Sequence, residues 1–310
     1  MRYIFFILAA ICITAVACKK DKQQPTPPLP DAPELVQFRL RLAGEFLTSD
    51  APLPGGRKFR DSTLYSLIVY RAATPYVAYA GGMFDHAGDI TLELPVEQKF
   101  NISVRAFRKG TGGGLFYTWQ NGLPYFDYPT NAPLKNIVDT AYRNMEDTVS
   151  WLKVTDPADS TKYFGEKSFP ELDVFRGTAS INVTPDPVSL TINMKRLSFG
   201  VQLASPNFTE GKLILETQGT HAKTVTPADI SSRHFIFASD LFKLIEEFDQ
   251  TVKVKWQKPD GTIVPQGEKT IRFKRNVLTT IQVKLSADGR TNLNPIITET
   301  DWKGAETVDF

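Results

Sequence analysis

The feature that most constrains this chain is the alternation of apolar and polar residues in many short segments. In the first segment, Val36, Phe38 and Leu40 alternate with Gln37 and Arg39. Because successive side chains of a β-strand point to opposite faces, this alternation predicts a strand with one buried face. The same pattern recurs at 65–69, 90–94, 100–106, 188–194, 252–256, 271–273 and 277–285. Many short strands of this kind predict an all-β fold, either a sandwich or a barrel.

Two segments depart from the alternation. Leu241, Leu244, Ile245 and Phe248 have helical spacing behind a capping residue at 239 or 240, and they predict one short helix in the second half. The glycine-rich run 110–114 is followed by no helical pattern. It therefore predicts a flexible hairpin tip rather than a phosphate-binding loop.

The sequence also indicates how the chain is divided. The prolines of Thr184-Pro185-Asp186-Pro187 stand between two strand patterns, which is typical of a linker. We expect a first β-sandwich domain at 34–185 and a second at 186–310. The stretch 131–169 alternates poorly and is rich in charge and turn residues, so it predicts an irregular insertion on the first domain.

The N-terminus predicts export and lipid attachment. Residues 1–17 have an early charge, a short apolar run and the small residues Ala15, Val16 and Ala17 before Cys18. This pattern describes a cleaved secretory signal, and it resembles the bacterial lipobox, in which the cysteine becomes the acylated first residue. The alternative is an ordinary signal peptide with an incidental cysteine. The proline-rich stretch 18–33 predicts an extended spacer between the lipid and the folded part.

Composition excludes several classes of function. The chain has two cysteines, Cys12 and Cys18, so the expected mature domains hold no thiol for a disulfide, a zinc site or a nucleophile. The formal net charge of +2 gives no basis for nucleic-acid binding. The three histidines, His86, His221 and His234, are isolated in the sequence, and no catalytic motif accompanies them. We expect a non-enzymatic protein with no metal and no cofactor.

Five strings resemble one known family. They are LYSLIVY at 64–70, FPELDVFRG at 169–177, MKRLSFG at 194–200, FKRNVLTTI at 273–281 and the C-terminal 296–310 with DWKG. Together they resemble the fimbrillin-like surface lipoproteins of Bacteroides-type bacteria, which include pilus subunits and lipid-held anchors. The resemblance implies two tandem transthyretin-like Greek-key β-sandwiches. It further implies an adhesive protein in the outer membrane, exposed at the cell surface and held there by its N-terminal lipid.

The resemblance also implies assembly by strand addition, in which a strand of one subunit completes the sheet of another. In the family, stalk subunits lose their first strand to an arginine-specific protease. The matching loop here is 51–60, with Arg57 and Arg60 as the candidate cleavage residues. The alternative is a basic turn that is never cut. The candidate donor strand is 294–310, and its alternative is an ordinary last strand of the second domain.

An aromatic stretch at 115–128 supports a second hypothesis. Its candidate glycan-binding residues are Tyr117, Trp119, Tyr125 and Tyr128, which have amide side chains nearby. Aromatic faces beside amides suit sugar rings, so the alternative function is a surface lipoprotein that binds host or dietary glycans. The competing interpretation is a hairpin and its core. Three or more of these rings open to solvent on one face would favour glycan binding.

Overall fold

A computed structural model describes residues 33–45, 63–73, 77–112, 114–126, 131–142, 152–155, 162–167, 171–186, 189–238, 243–286 and 297–301. The side chains of 109, 155, 163–167 and 297–301 are not described. The chain divides into a unit Met1–Pro33 and a unit Glu34–Phe310, and the strands of the described residues belong to the second unit.

The first ten strands are β1 (Leu35–Gly44), β2 (Thr63–Arg71), β3 (Val77–Phe84), β4 (Thr91–Pro95), β5 (Lys99–Lys109), β6 (Thr118–Gln120), β7 (Leu123–Phe126), β8 (Ala132–Pro133), β9 (Leu152–Thr155) and β10 (Tyr163–Lys167). The others are β11 (Leu172–Asn182), β12 (Leu190–Arg196), β13 (Ser198–Ala204), β14 (Lys212–Thr217), β15 (Lys223–Val225), β16 (His234–Ala238), β17 (Glu247–Gln257), β18 (Ile263–Lys274), β19 (Val277–Gln282) and β20 (Ile297–Asp301). Single 3-10 turns lie at Ala87–Asp89 and Thr140–Tyr142.

The largest sheet has seven strands in the order β3-β2-β5-β11-β12-β1-β4. One face of this sheet encloses the first core, which includes Phe38, Leu92, Phe100 and Ile192. These residues occupy alternate positions of their strands, as the sequence pattern predicts. Gly177 is required in this sheet, because a Cβ atom built there would lie 2.5 Å from a side-chain carbon of Ile192.

The opposite face of the same sheet is covered at one end by the small sheets β6-β7-β8 and β9-β10. Phe126 and Ala132 pack there against Ile68 of β2, and Leu152 packs with Phe107 of β5. This explains why β2 is buried on both faces. It also shows that part of the predicted irregular insertion 131–169 forms strands, namely β8, β9 and β10.

The second core lies between two four-stranded sheets, ordered β16-β13-β19-β20 and β15-β14-β17-β18. Its centre is a group of four aromatic rings. The ring centroids of Phe199 and Phe248 lie 4.7 Å apart, and the rings of Phe237 and Phe273 pack beside them. The prediction of an all-β fold is therefore confirmed. The strand β12 follows the expected boundary at 185/186 but joins the first sheet, and the limits of the two domains stay a prediction.

Two local predictions were wrong. The predicted helix near 239–248 is absent from its described residues, because Phe248 lies in β17, and Leu244 and Ile245 belong to the non-helical approach to that strand. Burial of alternate β17 side chains in the second core outweighs the local helical spacing. Residues 239–242 lie outside the described residues.

The glycine-rich run is not a free hairpin tip in its described part. Gly112 N–H donates to the Glu171 carbonyl (3.2 Å), and the Thr111 hydroxyl oxygen accepts a hydrogen bond from Ile236 N–H of β16 (3.1 Å). A Cβ atom at Gly110 would lie 2.4 Å from the Glu171 carbonyl oxygen. Glycine is therefore needed for close packing here.

Candidate functional site

The first strand is placed where its replacement by another strand is geometrically simple. The first half of β1 pairs antiparallel with β4, from Leu35 opposite Pro95 to Arg39 opposite Thr91. The second half pairs parallel with β12, from Leu40 opposite Leu190 onward. A single ten-residue strand therefore closes the space between β4 and β12.

Side-chain burial ties β1 to the first core. Val36, Phe38 and Leu40 are 6%, 1% and 5% exposed, and they alternate with exposed neighbours. Burial of three such side chains contributes about 5–9 kcal/mol by area, which is an upper estimate. A strand that replaced β1 would have to fill the space of these three side chains in the core.

The residues on either side of β1 carry several predicted sites. Ala15, Val16, Ala17, Cys18, Arg57 and Arg60 all lie outside the described residues. The predicted lipid attachment and cleavage therefore stay predictions.

The strand end of β1 is bound to the second half of the chain. Glu45 Oε2 accepts hydrogen bonds from Arg196 N–H (2.8 Å) and from Arg275 Nη1 (2.5 Å). Arg275 also donates to the Arg196 carbonyl (2.9 Å) and to Glu246 (3.1 Å). Burial lowers the pKa of Arg275, but its hydrogen bonds to Glu45 and Glu246 outweigh this, so the pKa is raised overall. We call Glu45, Arg196, Glu246 and Arg275 the arginine junction.

A second polar contact joins the same two parts of the chain. The buried Glu171 carboxylate accepts hydrogen bonds from Lys223 Nζ and from His221 N–H (2.8 Å). Burial lowers the pKa of Lys223, although the adjacent Glu171 carboxylate acts in the opposite direction. His221 Nδ1 also lies 3.1 Å from Glu171. His221 is therefore not isolated in space, although it is isolated in the sequence.

The segments 169–177, 194–200 and 273–281, which resemble the known family, contact one another next to the arginine junction. The Ser198 hydroxyl donates to the Leu172 carbonyl (3.1 Å) and accepts from Val174 N–H (2.8 Å), while Asn276 N–H donates to the Ser198 carbonyl (3.0 Å). The pattern of the sequence gives no indication of the pairs made by Arg196 and Arg275. Both residues lie in strings that resemble the fimbrillin-like family, which is the one signal in the sequence that points to them.

The aromatic stretch forms a hairpin, and one of its described candidate rings is exposed. Trp119 is 62% exposed, whereas Tyr117 and Tyr125 are half-buried. Tyr117 packs on Phe126 of the core (centroids 5.6 Å apart) and lies edge-to-face with Trp119 at 6.2 Å. Tyr128 lies outside the described residues. Three open rings are not found among the described residues, and the glycan role stays a prediction.

The C-terminal segment contributes an edge strand. Residues Ile297–Asp301 form β20, which pairs antiparallel with β19 at the edge of its sheet. Ile296 and Trp302 lie outside the described residues. Among the described residues, no group of three or more His, Cys, Asp or Glu is arranged to hold a metal ion. In the same part of the chain, no helix has the length and apolarity needed to cross a bilayer.

Comparison with known proteins gives structural neighbours only. No protein-family model and no curated protein matches the sequence. A candidate polysaccharide-binding protein from Bacteroides thetaiotaomicron aligns with a TM-score of 0.41 and 11% identity, covering 86% of this chain and 96% of that chain. A fimbrial assembly protein from Parabacteroides distasonis aligns with a TM-score of 0.41 and 10% identity, covering 87% and 99%. A candidate adhesin from Bacteroides thetaiotaomicron aligns with a TM-score of 0.35 and 10% identity, covering 87% and 97%. These neighbours are named for adhesion, fimbrial assembly and polysaccharide binding.

Proposed function

We propose that the chain is a non-enzymatic, lipid-anchored protein of the outer membrane, a fimbrillin-like fibre subunit or anchor acting in adhesion. In this proposal the two halves are tandem transthyretin-like Greek-key sandwiches, and subunits associate by strand addition. The observation that carries the proposal is the position of β1, which lies between β4 and β12 in the order of the described strands.

Removal of β1 would leave two strand edges and an apolar groove. The unpaired N–H and C=O groups of β4 and β12 would need new partners, and the first core would lose Val36, Phe38 and Leu40. An added strand satisfies both needs, because its backbone pairs with the edges and its alternate side chains fill the groove. Cleavage at Arg57 or Arg60 would separate β1 from the rest of the chain in this way.

The donor in the proposal is the C-terminal segment 294–310 of another subunit. Its part Ile297–Asp301 already forms an edge strand that pairs with β19. Donation of this strand to another subunit would therefore break little other β-structure. An uncut chain would keep β1 and the lipid at Cys18, and would act as the anchor at the base of a fibre.

The strand-addition test uses the purified chain and an arginine-specific protease. After cleavage, a synthetic peptide of residues 294–310 is added, and native mass spectrometry measures its exchange for the fragment that carries β1. We expect one peptide to bind per cut chain and none to bind the uncut chain. An Arg57→Lys, Arg60→Lys chain is the matched control, since it keeps the charge but cannot be cut by the protease at these two positions.

Failure of the cut chain to bind either the 294–310 peptide or a β1 peptide would contradict strand addition. A β1 peptide with Phe38→Asp is expected to bind at least about 100-fold more weakly than the natural one, because it buries a carboxylate in the groove. Equal binding of the two would show that the groove does not recognise the strand.

Localisation is tested on whole cells by immunogold microscopy with antibody to 186–310. Label along filaments supports a stalk subunit, and label restricted to the cell body supports an anchor. Incorporation of a palmitate analogue tests the lipid. We expect Cys18→Ser to abolish incorporation and Cys12→Ser to leave it unchanged, so equal labelling of all three chains would contradict attachment at Cys18.

The second candidate function is glycan binding at the aromatic hairpin, and the exposed ring of Trp119 favours it. Exposed aromatic rings stack on sugar rings. In this alternative, Trp119→Ala removes binding of neutral glycans. Retention of that binding by the Trp119→Ala chain would contradict the alternative.

A further inference from the structure

The two ends of β1 are held in different ways. At its start, the Val96 N–H donates to the Glu34 carbonyl (3.0 Å), a backbone contact that does not depend on the side chain at position 34. At its other end, the Glu45 carboxylate accepts hydrogen bonds from Arg196 N–H and from the Arg275 guanidinium. The second contact requires a particular kind of side chain, namely an acceptor for two donors.

The residue before Glu45 is a glycine that the local geometry requires. Gly44 has a φ of +89°, and a Cβ atom built there would lie 2.7 Å from the Met194 carbonyl oxygen. The same carbonyl accepts the Glu45 N–H at 3.0 Å. Side chains other than hydrogen are strained in this conformation. The strand therefore ends in a glycine that approaches β12 closely and a glutamate that binds the two arginines.

The donors that bind Glu45 belong to the part of the chain that would remain after cleavage. A cut in the loop 51–60 would separate Glu45, together with β1, from Arg196 and Arg275. The Arg275 side chain is only 9% exposed, and its second carboxylate partner, Glu246, is 61% exposed. Departure of β1 would thus leave Arg275 with one largely solvated partner, and the Arg196 N–H would lose the acceptor that Glu45 provides.

The cost of leaving these donors without Glu45 depends on whether the groove is open or filled. In an open groove, water hydrates the guanidinium and the N–H. A strand that enters the groove displaces this water and buries both donors again. A buried donor that lacks an acceptor weakens binding, and the effect is larger when the donor is charged. An incoming strand with a carboxylate at this place avoids that loss.

A carboxylate at this end also fixes the register of the strand. Gly44 lies opposite Met194 in the parallel pair of β1 and β12. A slip by two residues keeps the same set of side chains on the inner face, because the side-chain period of a strand is two. The same slip moves Glu45 by about 6.6 Å along the strand, which breaks its hydrogen bonds. The arginines therefore distinguish registers that have the same inward face.

We infer that the Arg196 N–H and the Arg275 guanidinium form a carboxylate-binding site that selects the strand added between β4 and β12. We call these two groups the carboxylate site. Its ligand is a β-strand of another polypeptide that fills the space of the β1 side chains and carries an acidic residue just beyond its last pair with β12. The inference rests on the proposed strand addition, for which it names the chemistry of the added strand.

The first test measures binding of synthetic peptides of residues 33–46 to the cut chain after the fragment with β1 has been removed. We expect Glu45→Gln in the peptide to weaken binding about 10- to 100-fold, because a neutral amide replaces the charged acceptor. Glu34→Gln is the matched control, since it removes the same charge from an exposed residue at the other end of β1. Its affinity should stay within about 2-fold of the natural peptide. Equal losses in both peptides would overturn the inference, because net charge would then explain binding.

The second test changes the acceptor. In a cut chain with Arg275→Gln, we expect the natural and Glu45→Gln peptides to bind within about 3-fold of each other, because the charged donor is gone. A cut chain with Arg272→Gln is the control, since Arg272 is exposed and pairs with Asp249 instead. It should keep the full difference between the two peptides. A full difference in the Arg275→Gln chain would overturn the inference, because the carboxylate would then be recognised elsewhere.

The donor candidate 294–310 is tested in the same way. It contains four acidic residues, and a peptide with all four changed to amides is Glu299→Gln, Asp301→Asn, Glu306→Gln and Asp309→Asn. We expect this peptide to bind the natural cut chain about 10-fold more weakly than the unchanged 294–310 peptide. The two should bind the Arg275→Gln chain equally. The same loss with both chains would overturn the inference for this donor.

Hydrogen exchange in the uncut chain tests the site without any peptide. Glu45→Gln is expected to speed exchange about 10-fold at the amides of 40–44, which pair with β12, because this end of β1 would open more often. The amides of 35–39, which pair with β4, should change by less than about 2-fold. Unchanged exchange at 40–44 would overturn the inference.

The failure of the inference is distinguishable from the failure of strand addition. A cut chain that binds no 33–46 peptide at all contradicts strand addition, and with it the inference. A cut chain that binds the natural and Glu45→Gln peptides equally well contradicts only the carboxylate site.

Discussion

Arg275 and Glu45 are joined by a hydrogen bond of 2.5 Å, although 230 residues separate them in the sequence. Glu45 directly follows β1, and Arg275 lies in the turn between β18 and β19. The same Glu45 oxygen accepts the Arg196 N–H at the end of β12. One carboxylate therefore links the end of the first strand to both halves of the folded chain.

The arginine junction is expected to contribute to stability. Arg275→Ala leaves Glu45 and the Arg196 carbonyl without their guanidinium donor, and the Arg275 side chain is only 9% exposed. We expect a loss of about 2–3 kcal/mol in the free energy of unfolding, measured by urea denaturation. Arg272→Ala is the control, because its pair with Asp249 is exposed and its loss should leave the free energy of unfolding nearly unchanged. Similar losses in the two variants would contradict a special role for Arg275.

The buried pair of Arg196 and Asp173 gives a second prediction. Arg196 Nε and Nη2 donate to the two carboxylate oxygens at 2.7 and 2.8 Å, and both side chains are buried. Asp173→Asn leaves the Arg196 charge uncompensated, so we expect about 3 kcal/mol of destabilisation by urea denaturation. The double change Asp173→Leu, Arg196→Met should cost less than the single change. A double variant that is less stable than Asp173→Asn would contradict this account.

Thr111 fixes the glycine-rich run to the edge of β16. Its hydroxyl accepts from Ile236 N–H and donates to the Ile236 carbonyl at 3.3 Å. Thr111→Val removes both hydrogen bonds, so we expect a loss of about 1–2 kcal/mol and faster hydrogen exchange at the Ile236 amide. Thr111→Ser keeps the hydroxyl and should retain slow exchange. Unchanged exchange in Thr111→Val would show that the contact does not protect this edge.

His234 gives a prediction about pH. Burial lowers the pKa of His234 below its ordinary value of 6.5, and the Arg196 charge acts in the same direction, partly opposed by a backbone hydrogen bond with Ser232. The unfolded chain therefore binds this proton at a higher pH than the folded chain. The stabilising effect of neutral His234 is complete above pH 6.5 and decreases as the pH falls below that value.

The measurement compares urea unfolding of the natural chain and of His234→Gln between about pH 8 and pH 5. The natural chain should lose more stability over this range than His234→Gln does. Parallel pH profiles would contradict a lowered pKa.

Trp119 and Phe126 belong to one hairpin but should respond differently to truncation. Trp119→Ala is expected to change the free energy of unfolding by less than about 0.5 kcal/mol, because the ring is largely exposed. Phe126→Ala should cost about 3–5 kcal/mol, since its ring is buried between the small sheet and β2. Thermal or urea unfolding checks both. A large loss in Trp119→Ala would show that this ring is part of the core.

Strand positions were predictable because burial on one face imposes a period of two on the sequence. Val36, Phe38 and Leu40 alternate in the sequence and lie in the first core in the structure. The same pattern failed for β2, where Leu64 and Ile68 are also buried. There the small sheets cover the second face, and a sequence segment does not reveal what covers it.

The pairing of distant charges was not predictable. Arg196, Asp173 and Arg275 lie in the strings 194–200, 169–177 and 273–281 that resemble the known family. The charge of a residue does not indicate which distant residue it pairs with. Glu171 and Lys223 show the same limit, because the loop before β11 and the strand β15 meet only through the packing of separate sheets. The apolar residues at 241–248 have helical spacing, but this spacing predicted the wrong structure. Phe248 lies in β17, where burial of the strand in its sheet outweighs the local preference.

By itself, the sequence determined that the folded part is β-structured and where most of its strands lie, because alternation is a local consequence of one-sided burial. The tertiary structure alone decided the order of the strands, including the position of β1 between β4 and β12. It also decided which charges are paired with each other. These features depend on contacts between residues far apart in the chain, and such contacts leave no periodic pattern in the sequence.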